Sequence, residues 1–178
     1  MKPKESFKGQ SKEISDLLSQ YSKALSLLEQ YDAGTLAEPE GALAKFVLKY
    51  EDAILIVKNI KTGLAAGSLF GSERGKMFEG VVKNIYQTFD GKELYDTAQQ
   101  KAANLLYLII KDHPFSDGNK RIGAFLFVYF LSKNNCLYND NGKNKIDNNT
   151  LAALALLIAE SNPKEKDAMV KIIENLLS

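Results

Sequence analysis

The chain reads as an all-α protein with one small β-hairpin, and three observations carry that reading. Apolar residues recur at helical spacing over most of its 178 residues. One stretch, Met77 to Leu94, is instead rich in β-branched and aromatic residues and is punctuated by Gly80 and Asp90-Gly91. No linker, repeat or low-complexity tract divides the chain, so a single domain over 1–178 is expected, with a helical extension at 1–40, a core at 41–135 and closing helices at 136–178.

Each element follows in order. Residues 1–10 are polar and are expected to fray. From Ser11 to Tyr31, Ile14, Leu17, Leu18, Tyr21, Leu25 and Leu28 form an amphipathic stripe, and Asp32-Ala33-Gly34 stops it. A second helix is expected from Glu40 to about Thr62, with Leu43, Phe46, Val47, Tyr50, Ile54 and Val57 inward. Gly63, Gly67, Gly71 and Gly75 then interrupt the chain. The hairpin is placed in the Met77 to Leu94 stretch. Helix resumes after Thr97, a good N-cap, and runs to about Lys111. Asn119 to Asn134 is apolar around most of its circumference beyond the first turn, which places it in the middle of a bundle. Two further helices cover about Asn148 to Glu160 and Pro163 to Leu177, the last with proline at its first position.

Composition excludes several functions. Hydrophobic content of 45% and charged content of 25% suit a globular protein, and a net charge of +1 argues against a general nucleic-acid binder. One cysteine and one histidine cannot build a structural zinc site. Cys136 is expected to be a small buried filler near a helix end. The longest apolar run, Leu151 to Ala159, is under half the ~20 residues of a membrane span, and the first twenty residues lack a signal-like apolar core. A cytoplasmic protein without a membrane association is expected.

The chemistry concentrates in His113-Pro114-Phe115-Ser116-Asp117-Gly118-Asn119-Lys120-Arg121. Pro114 disfavours helix at His113, so the preceding helix should end there. Gly118 opens the next helix, whose N-terminus presents unpaired N–H groups and the positive end of its dipole, a site for phosphate. Gly118 lets backbone approach a ligand closely, and Lys120 and Arg121 add charge-assisted hydrogen bonds. Asp117 can hold Mg²⁺ together with substrate phosphates. His113 titrates near neutrality and can take a proton from an attacking hydroxyl. Base, metal ligand and phosphate cradle together describe transfer of a phosphate group to a nucleophile. Two other runs fail as sites. Gly71-Ser72-Glu73-Arg74-Gly75-Lys76-Met77 is one residue short of a Walker A loop and lacks its Ser/Thr, and Asn139-Asp140-Asn141-Gly142 has no glutamate at the twelfth position of a calcium loop.

The nine-residue run closely resembles the signature of the Fic/Doc (Fido) family, His-Pro-Phe-x-Asp/Glu-Gly-Asn-Gly/Lys-Arg-x-x-Arg, and the resemblance extends loosely over Leu43 to Asn135. It implies a Fic-like helical bundle and transfer of AMP, or of phosphate as in the Doc branch, from ATP with Mg²⁺ to a Ser, Thr or Tyr hydroxyl of a target protein. It further implies His113 as general base, Phe115 as a core anchor and Asp117 as the Mg²⁺ ligand. Gly118, Asn119 and Arg121 fall at its phosphate-binding positions, with Lys120 beside them. Phe78, Val81, Val82, Ile85 and Thr88 would form a flap hairpin that docks the target by strand addition. Lys120 stands where AMP-transferring members have glycine, and Ala124 stands where the second arginine falls. Both departures are similar to the Doc branch. The family's inhibitory helix has no counterpart beyond Ser161 to Lys166, whose last residue is wrong and whose partner arginine is missing. Control by a separate antitoxin-like chain is the remaining expectation. The rival readings are a catalytically weak Fido-fold module that binds a partner, and a purely structural bundle.

Overall fold

The computed structural model describes the backbone from Lys4 to Ser178, with side chains from Lys12 onward. It divides into two compact units, Met1–Ala37 and Glu38–Ser178, where the sequence suggests one domain with an extension. The first unit holds α1 (Lys4–Gln20) and α2 (Ser22–Asp32). Residues 1–3 of the stretch expected to fray lie outside the described residues, and the backbone is helical from Lys4 rather than from Ser11. Hydrogen bonds from Tyr21 N to Leu17 O and from Leu25 N to Tyr21 O, both 3.0 Å, carry the helical ladder across the junction.

The second unit contains α3 (Tyr50–Gly63), α4 (Met77–Asn84), β1 (Thr88–Phe89), β2 (Lys92–Glu93), α5 (Ala98–Asp112), α6 (Asn119–Lys133), α7 (Asn148–Glu160), a 3₁₀ turn (Pro163–Glu165) and α8 (Lys166–Leu177). The all-α class with one small antiparallel hairpin holds. The centre is α5, which packs against α4, α6, α7 and α8. Twelve of its fifteen residues are buried. A full capping box starts it: Thr97 Oγ1 accepts from Gln100 N at 3.1 Å, and Gln100 Oε1 accepts from Thr97 N at 3.3 Å. The nearly all-apolar α6 buries fewer of its residues than α5, and Phe125 on its outer face is exposed.

Two elements depart from the sequence reading. Residues 40–49 are irregular rather than helical, because tertiary partners take up their backbone groups. Ala44 N donates to Asp96 O, Ala42 O accepts from Ala98 N, Asn134 Oδ1 accepts from both Lys45 N and Phe46 N, and the Tyr86 hydroxyl accepts from Leu48 N. Leu43 and Val47 consequently point outward. The second correction concerns the flap. Phe78, Val81, Val82 and Ile85 belong to helix α4 and its C-cap and are all buried. Their spacing of i, i+3, i+4 and i+7 is the helical period, and burial of that face overrides β propensity. The hairpin itself is shorter, Thr88 paired with Glu93 and Phe89 with Lys92. Asp90 (φ 51°) and Gly91 (φ 75°) turn it, both in the left-handed region that tight hairpins require. Of the five residues assigned to the flap, only Thr88 lies in it.

Helices α3 and α4 are joined by one carboxylate. Glu73 Oε2 accepts from the Tyr50 hydroxyl at 2.6 Å, and Oε1 accepts from Phe78 N at 3.0 Å and Glu79 N at 3.3 Å, capping α4 from outside the helix. That hydrogen bond, with burial and the negative charge of Glu73, pushes the Tyr50 pKa up to about 12. The folded value lies above the ordinary one near 10, so the stabilisation is fully present below pH 10 and fades as pH rises toward 12. Replacing Glu73 with Gln is expected to return the Tyr50 titration toward its ordinary value, read by phenolate absorbance, and to lower stability by about 1–3 kcal/mol at neutral pH in denaturant titration. An unmoved Tyr50 titration would show that Glu73 does not hold the hydroxyl.

Candidate active site

The loop from His113 to Gly118 is built by the ends of two buried helices. Helix α5 stops at His113, which takes the left-handed conformation (φ 48°) that precedes Pro114. Helix α6 starts after Gly118, also left-handed (φ 88°), and no side chain caps it. The N–H groups of its first turn therefore keep no side-chain acceptor, and the helix dipole adds positive potential there.

A second segment holds this loop in place. Phe70 to Arg74 runs alongside Pro114 to Asp117 and bonds to it through backbone groups. Arg74 N donates to Pro114 O at 2.8 Å, Ser116 N to Ser72 O at 2.8 Å, and Gly71 N to Asp117 O at 3.1 Å. The glycine-rich run that fails as a Walker A loop is thus the brace of the site. Phe115 is wholly buried and packs its ring 4.7 Å from that of Phe78. Asn119 closes the loop from within: its Oδ1 accepts from Phe115 N at 2.9 Å and its Nδ2 donates to Phe115 O at 2.8 Å. The Asn119 side chain is buried and engaged in shaping the loop, a duty different from the phosphate contact that its position in the signature suggests.

Gly118 likewise has a packing reason. A Cβ there would lie 2.4 Å from the Phe70 ring, so glycine is required by the neighbour as well as by φ. The same ring also supports the Arg121 guanidinium, 4.7 Å from its centroid. Arg121 Nη2 also pairs with Asp117 Oδ2 at 3.4 Å, and both side chains are about half exposed. Such a pair is weak and is readily exchanged for a ligand phosphate or a metal ion.

His113, Ser116, Asp117, Gly118, Asn119, Lys120 and Arg121 together line a cavity of about 250 Å³. The residues singled out in the motif are thereby brought to one place. Ser116, which the sequence reading left without a role, joins them, and only its place in the run marks it. Phe78, Val81, Val82 and Ile85 are not part of this cavity. Arg121 also borders a larger apolar cavity of about 730 Å³, walled by Ile60, Leu64, Ala124, Phe125, Val128 and Leu151 among others. Among the described residues no group of three or more His, Cys, Asp or Glu side chains could hold a metal ion by itself. A site with a single carboxylate, Asp117, suits only an ion that brings its own waters and phosphate oxygens, as Mg²⁺ does. No helix among the described residues is long and apolar enough to cross a membrane.

Because Gly118 rests on Phe70, Gly118→Ala is expected to cost about 1–3 kcal/mol through overpacking, measured by guanidinium denaturation. Unchanged stability would mean that the ring moves aside freely.

The family model described as Fic/DOC family matches residues 47–131, a span running from just before α3 to near the end of α6. No match is found among curated proteins or among solved structures. The brace at Phe70 to Arg74, helix α4, the hairpin, the buried α5 and the His113 to Arg121 loop all fall inside the matched span, and with them on one frame the chain carries a Fic/DOC family domain over residues 47–131.

Proposed function

We propose that this protein is a Fic/Doc-type transferase that moves a phosphate-containing group from ATP to a hydroxyl side chain of a target protein. The observation that carries the reading is the convergence of His113, Asp117 and the Gly118 to Arg121 helix start on one cavity. In this reading the exposed His113 imidazole accepts the hydroxyl proton as the target oxygen forms its bond to phosphorus. The bond from that phosphorus to the leaving phosphate oxygen breaks, and the leaving group, ADP in phosphate transfer or pyrophosphate in AMP transfer, departs with the electron pair. Arg121, Lys120 and the first N–H groups of α6 hold the phosphate oxygens in line. Asp117 would bind Mg²⁺, which neutralises charge on the phosphates when present. Asn119 and Phe115 act as positioning residues for the loop.

Lys120 and Ala124 favour transfer of the terminal phosphate over AMP. Ala124 is half-buried and faces the apolar cavity, so α6 offers no second cation one turn beyond Arg121 to grip distal phosphates. The exposed hairpin Thr88–Glu93, with Phe89 80% exposed, supports target docking by strand addition. Its base is anchored to α5 through Lys101, which is buried, pairs with Glu93 at 2.8 Å and donates to the Tyr95 carbonyl.

His113→Ala is expected to reduce transfer by ~10²–10⁴-fold while leaving ATP affinity and the thermal transition close to wild type. Full transfer by the variant in a labelled-ATP assay would remove His113 from the reaction.

Label placed on the γ-phosphate is expected to reach the target protein, whereas label on the α-phosphate is not. The double substitution Lys120→Gly with Ala124→Arg should shift transfer toward AMP by supplying the distal cation. Wild-type attachment of the α-label would establish AMP transfer instead.

A further inference from the structure

A second polar cavity, of about 290 Å³, lies between α5 and α8 and shares no residue with the one at His113. It abuts the root of the hairpin, where Leu94 N donates to Gln87 O at 2.9 Å. Two of its wall residues are polar and almost fully enclosed: Glu174 of α8, 3% exposed, and Asn104 of α5, 1% exposed. Asn104 spends its Nδ2 on the Gln100 carbonyl at 2.9 Å, and its Oδ1 accepts no hydrogen bond. The Glu174 carboxylate accepts none either, and among the described residues no cation lies within 4.0 Å of it. No fully enclosed side-chain nitrogen or oxygen among the described residues is without a partner, so both of these acceptors open into the cavity.

We infer that this cavity is a binding site for a small primary ammonium compound, whose N–H groups donate to the Glu174 carboxylate and to Asn104 Oδ1. Three features select that chemistry. Both enclosed groups are acceptors, so the ligand has to bring donors, and a carboxylate held away from water without a partner calls for a positive one. An anion would meet that carboxylate, and among the described residues no group of three or more His, Cys, Asp or Glu could hold a metal ion. The rest of the wall suits a short alkyl body: Leu94, Tyr95 and Val170 line it, and the volume is at the lower end of the ~300–1,000 Å³ of small-ligand pockets. The other charged groups facing the cavity are Glu38, Asp167, Lys166 and Lys171, so with Glu174 the wall carries three carboxylates and two ammonium groups. Lys166 is drawn away to the Tyr107 ring, 5.9 Å from its centroid. Burial, with the charge of Glu38, pushes the Glu174 carboxyl up to about 7 against the opposing pull of Lys171. The empty site therefore holds a proton near neutrality, and a bound ammonium takes that proton's place.

The test titrates n-propylammonium chloride into the full chain by calorimetry and follows the Glu174 carboxyl carbon by NMR. Saturable binding is expected, with the Glu174 titration moved down by about one pH unit or more. Affinity should be level above pH 7 and fall about tenfold per unit below it, as the proton competes for the carboxylate. Glu174→Gln keeps the shape and removes the charge, and it should bind the probe at least about tenfold more weakly. Tetramethylammonium, equally charged but without N–H groups, should not saturate the site. Absence of saturation by propylammonium, an unmoved Glu174 titration, undiminished binding by the Gln variant or equal binding of tetramethylammonium would each overturn the proposal. If the Gln variant does not fold, the Glu174 titration in the wild-type chain decides by itself. No step uses ATP or a target protein, so the result stands apart from the transferase reading.

Discussion

The site depends on one interaction: the backbone pairing of Phe70 to Arg74 with Pro114 to Asp117. Three backbone hydrogen bonds of 2.8 to 3.1 Å fix the path of a loop that would otherwise be a free crossing between two helices. Each bond contributes a modest net ~0.5–1.5 kcal/mol, and their larger effect is geometric. They set where α5 must end, hold His113 in a left-handed conformation, and deliver Gly118 onto the Phe70 ring at the start of α6. Phe115 and Asn119 repeat the constraint from the inside, one by burial and the other by two hydrogen bonds to the loop backbone.

A rigid loop with weakly held charges suits a phosphate substrate. The frame is anchored by the buried Phe70, Phe115 and Asn119, whereas Asp117 and Arg121 meet through an exposed pair at 3.4 Å. In the proposed reading, an incoming phosphate would exchange one weak partner for a stronger one without disturbing the brace. Glu73 extends the same design outward. It belongs to the bracing segment, caps α4 and binds Tyr50 of α3, so the elements around the loop are tied through one carboxylate. Lys101 has the corresponding place at the hairpin, holding a two-residue strand to the most buried helix of the bundle.

Sequence alone determined the helical class, the cap of α5 at Thr97 and the helix break at His113-Pro114. Each of these is local: a capping residue, a proline or a motif acts through its immediate neighbours and leaves a readable pattern. Cys136 is buried near the end of α6 as its composition context suggests, and burial raises its thiol pKa. The α4 face was legible too in its i, i+3, i+4, i+7 spacing, although β-branched content argued the other way.

Tertiary structure decided the rest. Residues 40–49 are not helical because Asp96, Ala98, Asn134 and Tyr86, distant in sequence, take up their backbone groups. The glycine-rich run at 71–75 became a brace, since only the folded chain brings its N–H and C=O groups to Pro114 and Asp117. Asn119 proved to be engaged within the loop for the same reason: a motif position specifies a residue, while its hydrogen-bond partners are chosen by which backbone lies nearby. Long-range pairing leaves no period in a sequence, so a local pattern can mark a run of candidate residues, but the contacts that hold them in place appear only when the chain has folded.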